Sequence, residues 1–590
     1  MTHLNIPLRI ESIQTPQQLH GRSAKELSQL SDEVREFLLR NISATGGHIG
    51  ANLGTIELTI GLHAVFNSPG EPIIWDTGHQ GYTHKLLTGR ANLFPSLNRY
   101  NGMNRFVTRS ESDHDLIDAS HAGTSISIAS GIAMARRIND DKRQVVAVIG
   151  DSALAEGMAL EALNHLAVED VELTLVINDN GYAISPGFGG LHEAMQSEGR
   201  ARTLFESWGL NYHGPIDGHN IKALLDVFSH VYAKKGVNLV HVKTIKGNAW
   251  PPADAHPLRM HFSFPFDRAS GAPVVTPPGP AYQDIAAAVV LEQMEHDDKI
   301  VCITPSTLYA TGLTPAFEKY PERCFDPGME EQHAMTMSVG FALEGMKPVV
   351  AYQSTFLQRA FDQLFHDVCF MNLPILILSY RSGFAGYDNP THHGVYDFSY
   401  LRVLPNLKIL YPKDRHETER MVGDELRDLS GPLLILMPYG PVDDIDKTVL
   451  QEDRESFSTL QTVIHGSTIT LITVGHKFVA ARGAVERLRA DGVDAGLVNL
   501  RYLKPLPEQA LLELMSNTDR IVTVEEFVRD GGVGSAIVEL AADNEVMKPV
   551  LRIALPSVFI EPGSNHELEK IYGLDADGIY QRIKQKWETL

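Results

Sequence analysis

The chain has 590 residues, 43% hydrophobic and 21% charged, which is the make-up of an ordinary globular protein of roughly three or four domains. Its 51 basic and 73 acidic side chains leave a net charge of −22. A field of that sign, with no basic block, excludes nucleic acid and anionic membrane as natural partners, so an anionic substrate needs a local cationic pocket.

From about residue 20 to 262 helical periodicity alternates with short Val/Ile/Leu runs, the pattern of an α/β domain. Ser31 to Leu39 and Leu53 to Phe66 read as helices, Ile73-Ile74-Trp75 as a strand, and Ser125 to Arg137 as a helix. The strand Val145 to Ile149 then runs into Gly150-Asp151-Ser152, and a helix-like segment opens at Gly157. A second strand, Leu173 to Ile177, ends in Asn178-Asp179-Asn180-Gly181-Tyr182. This is a βαβ unit with Asp151 and Asn180 at its carboxyl edge, where open parallel sheets bind ligands. Either residue alone reads more simply as a cap or turn residue. Together, a carboxylate and an amide oxygen suit a hard, half-hydrated cation such as Mg²⁺ that keeps places for phosphate oxygens. The amides of a helix opening after Asp151 are expected to receive the same phosphates.

Val237 to Val242 is a later strand, and Pro265 to Tyr282 is a Pro- and Gly-rich linker without periodicity. A second α/β block follows, with strands at Ile300 to Ile303, Val349 to Tyr352, Ile375 to Leu378, Ile409 to Tyr411 and Leu433 to Leu436. After the acidic loop Asp443 to Glu455, a third block has strands at Thr468 to Val474, Gly496 to Leu500 and Ile521 to Val524, and a helix at Ala536 to Ala542. The expected organisation is 1–264, a linker 265–282, then 283–442 and 443–590, three α/β domains with mostly parallel sheets. Cys302, Cys324 and Cys369 are scattered without metal spacing, and no apolar run approaches ~18 residues. A soluble cytoplasmic protein is expected.

Motifs along nearly the whole chain resemble one family. Gly150-Asp151-Ser152 to Asn180 is similar to the metal–diphosphate motif of thiamine diphosphate enzymes. Four further stretches resemble the 1-deoxy-D-xylulose-5-phosphate synthase family: Gly46-Gly47-His48, Trp75-Asp76-Thr77-Gly78-His79-Gln80, Arg109-Ser110-Glu111-Ser112 and Thr124-Ser125-Ile126-Ser127. The second block agrees through Glu331-Gln332-His333-Ala334, Ser354-Thr355-Phe356-Leu357-Gln358-Arg359-Ala360 and Pro390-Thr391-His392. The third agrees through Tyr502-Leu503-Lys504-Pro505-Leu506 and Val524-Glu525-Glu526.

The resemblance implies a transketolase-like thiamine diphosphate-binding fold, a homodimer, and thiamine diphosphate with Mg²⁺ as cofactors. It implies that Asp151, Asn180 and the backbone carbonyl of Tyr182 hold the metal, with Ser152, Ala153, His121 and His261 beside the cofactor. Glu331 would share a proton with a ring nitrogen of the aminopyrimidine; otherwise it merely favours a helix amino terminus. Phe356 either packs on that ring or is a core phenylalanine. His48, His79 and His392 would serve the donor carboxylate and proton transfers. Arg381, Asp388, Gln353, Tyr439 and Arg359 would face substrate.

The chain also departs from the pattern. The family grips an acceptor phosphate with two arginines and a tyrosine; Arg381 keeps the first arginine, but Tyr439 stands at the second and Gln353 at the tyrosine. One lost guanidinium–phosphate contact costs on the order of 2–4 kcal/mol, roughly 30- to 1000-fold. Ser120-His121-Ala122-Gly123 lacks the family's hydroxyls, and Tyr380 replaces an acid before Arg381. Arg359 or Lys246 is a candidate to restore phosphate binding. The leading expectation is a carboligase that decarboxylates pyruvate, or a close 2-oxo acid, and joins the two-carbon unit to an aldehyde through an altered acceptor site. The alternatives are the family's own reaction with glyceraldehyde 3-phosphate, feeding isoprenoid precursors, a transketolase-like ketol transfer, and a non-catalytic cofactor-binding paralogue.

Overall fold

Parallel strands covered by helices on both faces read as continuous apolar runs, and those runs build the first sheet. β1 (Ile73–Trp75), β2 (Val146–Gly150), β3 (Leu173–Asp179), β4 (Asn211–Asp217) and β5 (Val237–Lys243) are parallel, in the order β1-β2-β3-β5-β4. The computed structural model describes residues 9–275, 279–442 and 458–588, so the acidic loop Asp443 to Glu455 and part of the linker lie outside the described residues. The chain packs as two units, Met1–Thr276 with Gly328–Glu330, and Pro277–Pro327 with Glu331–Leu590.

In the first unit Gly150 pairs with Asn178, so Asp151 and Asn180 leave the sheet at the same edge. The helix after Asp151 opens at Gly157, as the sequence suggested. A three-residue turn, Ala153–Ala155, comes first, and the helix Gly157–Leu166 begins after Glu156, whose extended backbone (φ −58°, ψ 139°) interrupts it. Glu156 packs against Gly123, where an added Cβ would lie 2.9 Å from the Glu156 Cβ. Leu53 to Phe66 is also broken, into Ile49–Gly54 and Ile56–Val65. Thr55 adopts a non-helical backbone there, and its hydroxyl bonds Gln80 O at 3.3 Å.

In the second unit β6 (Ile300–Ile303), β7 (Cys324–Phe325), β8 (Lys347–Gln353), β9 (Leu376–Ser382), β10 (Lys408–Leu410) and β11 (Leu433–Pro438) are parallel, in the order β10-β11-β9-β8-β6-β7. A further sheet holds β12 (Leu460–Ile464), β13 (Ile469–Thr473), β14 (Ala495–Leu500), β16 (Ile521–Val528) and β17 (Val550–Leu555), antiparallel only where β12 meets β14. β15 (Tyr502–Lys504) leaves that sheet and pairs antiparallel with β10. Part of the Tyr502-Leu503-Lys504-Pro505-Leu506 motif thus completes the sheet of the preceding block. Fully buried Glu417 ties the same two blocks, accepting from Lys413 Nζ (2.5 Å), Arg501 Nε (2.6 Å) and Asn499 Nδ2 (2.8 Å). A carboxylate buried this deeply is tolerated only with such a full set of donors.

Candidate active site

The edge of the first sheet presents a carboxylate in an unusual condition. Asp151 is 3% exposed, and its Oδ2 has no hydrogen-bond partner among the described residues. His192 Nδ1 stands 4.0 Å from Oδ2, and Oδ1 takes a long bond from the Asn180 amide, at 3.4 Å. Burial, aided by the charge of Asp179, pushes the Asp151 pKa up to about 7. Asp179 itself is satisfied by His241 Nε2 at 2.8 Å and Lys243 Nζ at 2.5 Å. Gly181, at φ +71°, turns the chain back so that the Tyr182 amide donates to Asn180 Oδ1 at 2.9 Å. Lys246 closes the corner: its buried Nζ donates to Ala183 O at 2.6 Å, and burial lowers its pKa to about 7.

A buried carboxylate oxygen without a donor carries a desolvation cost that a divalent cation offsets. The donor set here is carboxylate, amide oxygen and carbonyl oxygen, the hard oxygen set that Mg²⁺ takes while keeping sites for phosphate. Asp151, Asn180 and the Tyr182 carbonyl therefore fit the metal, and Ser152 and Ala153 lie in the turn that follows.

Beside this corner is a pocket of aromatic rings. The rings of His48, His79 and His261 lie 5.3 to 5.5 Å from one another by centroid. Phe106 and Phe262 pack on His48 at 5.6 and 5.4 Å, and the Arg105 guanidinium lies 4.5 Å over Phe262. Burial first, then the nearby Lys246 charge, lowers His79 to about 3 and His261 well below its usual value. Both imidazoles are thus neutral near pH 7 and act as donor–acceptor groups rather than as cations.

Several groups that set this pocket were not singled out from the sequence. Asn52 Nδ2 donates to His48 O at 2.7 Å and to His79 O at 2.8 Å, while its Oδ1 accepts from the Tyr82 amide at 2.8 Å. An asparagine one turn past His48, in an otherwise apolar helix, was the available signal. Asp76 caps the helix Ser125–Ile138, accepting from the Ser125 amide at 3.0 Å and from Gly123 N at 2.9 Å, and so fixes the loop that carries half-buried His121. Glu111 accepts from Lys85 Nζ (2.5 Å), Arg90 Nη1 (3.2 Å) and the Asn104 amide (2.6 Å); it anchors the loop of Arg105 and Phe106. Gly50 packs against the loop before His261, where a Cβ would come 1.9 Å from Arg259 O.

In the second unit Glu331 opens the helix Glu331–Leu343, is 7% exposed, and receives the Tyr352 hydroxyl on its backbone oxygen at 2.9 Å. The Phe356 and buried His392 rings meet edge-on at 5.7 Å. Gln353 ends β8, and Arg359 lies in the following turn, Ser354–Ala360. Near the end of β9 Arg381 adopts φ +67°; its Nη1 donates to Asp388 Oδ2 at 2.9 Å, and its guanidinium lies 4.8 Å over the Tyr439 ring. The structure therefore brings together Asp151 with Asn180 and Tyr182, His48 with His79 and His261, Phe356 with His392, and Arg381 with Asp388 and Tyr439.

Comparison with known proteins agrees across these segments. Residues 10–202 and 195–244 match the family described as 1-deoxy-D-xylulose-5-phosphate synthase. Residues 279–442 match the transketolase pyrimidine-binding domain, and 459–579 the transketolase C-terminal domain. The 1-deoxy-D-xylulose-5-phosphate synthase of Caldanaerobacter subterraneus subsp. tengcongensis is 39% identical over 622 residues, covering 98% of this chain and 99% of that one. 1-Deoxy-D-xylulose-5-phosphate synthase 1 of Geobacter sulfurreducens is 38% identical over 619 residues, covering 97% and 96%. A transketolase structure from Campylobacter jejuni aligns with 95% of this chain and 99% of its own at 14% identity and a TM-score of 0.45.

Proposed function

The chain belongs to the 1-deoxy-D-xylulose-5-phosphate synthase family, thiamine diphosphate-dependent transferases that use a divalent metal ion, and we propose that it joins the two-carbon unit of pyruvate to glyceraldehyde 3-phosphate with loss of CO₂. The observation that carries this reading is the buried Asp151 carboxylate with one oxygen unpartnered at the sheet edge beside Asn180. When bound, thiamine diphosphate supplies the carbon nucleophile and accepts the electron pair released on decarboxylation.

The chain's own residues do the rest. Asp151, Asn180 and the Tyr182 carbonyl would hold the metal and, through it, the diphosphate. Glu331, fixed at the start of its helix, would hydrogen-bond a ring nitrogen of the aminopyrimidine, and Phe356 would offer its ring as a packing partner. His79 and His261, neutral by burial, donate or accept single protons at their ring nitrogens, and His48 lies against both. His392 would serve the acceptor oxygen. Arg381, held flat by Asp388 and Tyr439, receives an anionic group of substrate.

A second reading is favoured by one specific feature. Where the family resemblance implies a second arginine, this chain places the Tyr439 ring under Arg381, and Gln353 stands at the position of the implied tyrosine. An uncharged or differently charged aldehyde is then the better acceptor. A pyruvate-dependent CO₂-release assay separates the two. Strong stimulation by micromolar glyceraldehyde 3-phosphate supports the first reading; weak stimulation with better turnover on an uncharged aldehyde supports the second. CO₂ release unaffected by Glu331→Ala defeats both. A homodimer is part of the proposal; sedimentation at micromolar protein tests it.

A further inference from the structure

A buried carboxylate outside the groups assigned above joins three of the segments that carry them. Asp397 is 0% exposed, and its Oδ2 accepts from Ser354 Oγ at 2.6 Å and from Ser382 Oγ at 2.9 Å. Ser354 opens the turn that bears Phe356 and Arg359, directly after Gln353. Ser382 is the residue after Arg381, at the end of β9. Asp397 begins the helix Asp397–Leu401, a few residues past the turn Pro390–His392. One oxygen atom therefore pins together the segments of Phe356, Arg381 and His392.

The crossing is tight. Gly394 bridges both Ser382 and Gly383. A Cβ on Gly394 would fall 2.2 Å from Ser354 Oγ, 2.7 Å from Arg381 O and 2.8 Å from Asp397 Oδ2. Tyr411 adds a long bond to Ser382 O at 3.4 Å. On the far side Gly383 lies against Glu526, whose Oε2 would be 2.2 Å from an added Cβ.

This packing surrounds the one arginine with a left-handed backbone in β9, Arg381 at φ +67°. A bulky residue persists in that conformation only where its surroundings over-determine it, and such strain concentrates at ligand sites. We propose that Asp397 is a positioning residue for Arg381: by bridging Ser354 and Ser382 it holds the Arg381 backbone in the conformation that presents the guanidinium to substrate. The inference rests on the reading of Arg381 as a substrate contact. Asp397 touches no substrate itself and acts through the serines.

The holoenzyme with thiamine diphosphate and Mg²⁺ tests it with Asp397→Ala, Asp397→Asn, Ser382→Ala and Arg381→Ala. Asp397→Ala should raise the KM for glyceraldehyde 3-phosphate about tenfold or more, because small misplacements of a binding group cost that much, with a smaller rise for Ser382→Ala. Asp397→Asn keeps an acceptor oxygen and should restore most of the loss. On an Arg381→Ala background Asp397→Ala should add nothing further. Hydrogen exchange of the peptide 379–386 gives a reading that needs no acceptor: exchange should quicken there in Asp397→Ala while the peptide 285–294 stays unchanged. Unchanged KM and exchange in Asp397→Ala, or an effect that persists in full without Arg381, overturns the inference. If wild type itself turns over no phosphorylated aldehyde, the functional reading fails, and the exchange result still decides the role of Asp397.

Discussion

Arg381 Nη1 donates to Asp388 Oδ2 at 2.9 Å while the guanidinium lies 4.8 Å over the ring of Tyr439. The cation is therefore oriented and partly neutralised before any substrate arrives. What remains to recognise an anion is its planar fork. Arg381→Lys keeps the charge but loses both the fork and the flat face that stacks. The acceptor KM should rise about tenfold, equivalent to about 1.4 kcal/mol, with cofactor affinity unchanged. Steady-state kinetics with glyceraldehyde 3-phosphate measure it, and a KM equal to wild type would show that Arg381 is not the recognising group.

The Asn52 side chain bonds both histidine loops. Asn52→Ala leaves the buried carbonyls of His48 and His79 and the Tyr82 amide without this partner. Each unsatisfied buried group costs about 1–3 kcal/mol, so a loss of about 3 kcal/mol or more in urea unfolding is expected, together with a fall in kcat. A variant that unfolds like wild type and turns over normally would remove Asn52 from the account of the pocket.

The sequence exposed what periodicity and strand ends can carry. β2 and β3 are apolar runs that stop at Asp151 and Asn180, so the corner proposed for the metal was visible as two polar residues at one edge. The strands β6, β8, β9, β10 and β11 were visible for the same reason, whereas the two-residue β7 was not. β4, with its sequence Asn211-Tyr212-His213-Gly214-Pro215-Ile216-Asp217, was not, because polar residues and a proline disguise a strand whose place is set by β5. Nor was β15 foreseeable in the preceding block's sheet, since register across blocks leaves no local trace. Groups such as Asn52, Asp76 and Asp397 act by bonding backbone or hydroxyls far away in sequence. Their chemistry is that of any capping residue until the fold shows what they cap. Lys246 was named only as a source of charge, and its burial beside the Tyr182 turn became evident in three dimensions.

Glu526 gives a pH dependence whose sign can be worked out. Burial alone would raise its pKa, but the ion pairs with His476 Nε2 at 3.1 Å and Lys477 Nζ at 3.2 Å bring it down from 4.5 to about 2. A carboxylate with a depressed folded pKa stabilises the fold above its unfolded value and loses that contribution as pH falls through the folded value. The window is pH 4.5 to about 2, and the contribution is on the order of 3 kcal/mol. Glu526→Gln should therefore be less stable than wild type at pH 6, with the gap closing on acidification. Urea titrations at pH 6 and pH 3 measure the gap; one that stays constant would mean that the ion pairs do not set the Glu526 ionisation.

Asp151 predicts the opposite sign and a conflict between stability and function. Its folded pKa of about 7 lies above the ordinary 3.8, so without metal its contribution is fully present only below 3.8 and is lost as pH rises through 7. Asp151→Asn removes that charge, and the metal-free variant at pH 8 should be at least as stable as wild type, by about 1–3 kcal/mol. Adding Mg²⁺ and thiamine diphosphate should reverse the order. Wild type gains stability in proportion to the logarithm of ligand over Kd, while the variant, without its anionic ligand, gains little. Chelation of the metal should return wild type to its lower melting temperature. Thermal unfolding at pH 8, with and without cofactor and metal, reads all four states. Equal stabilisation of both proteins would mean that the buried carboxylate does not hold the ion, because nothing else distinguishes the two sites.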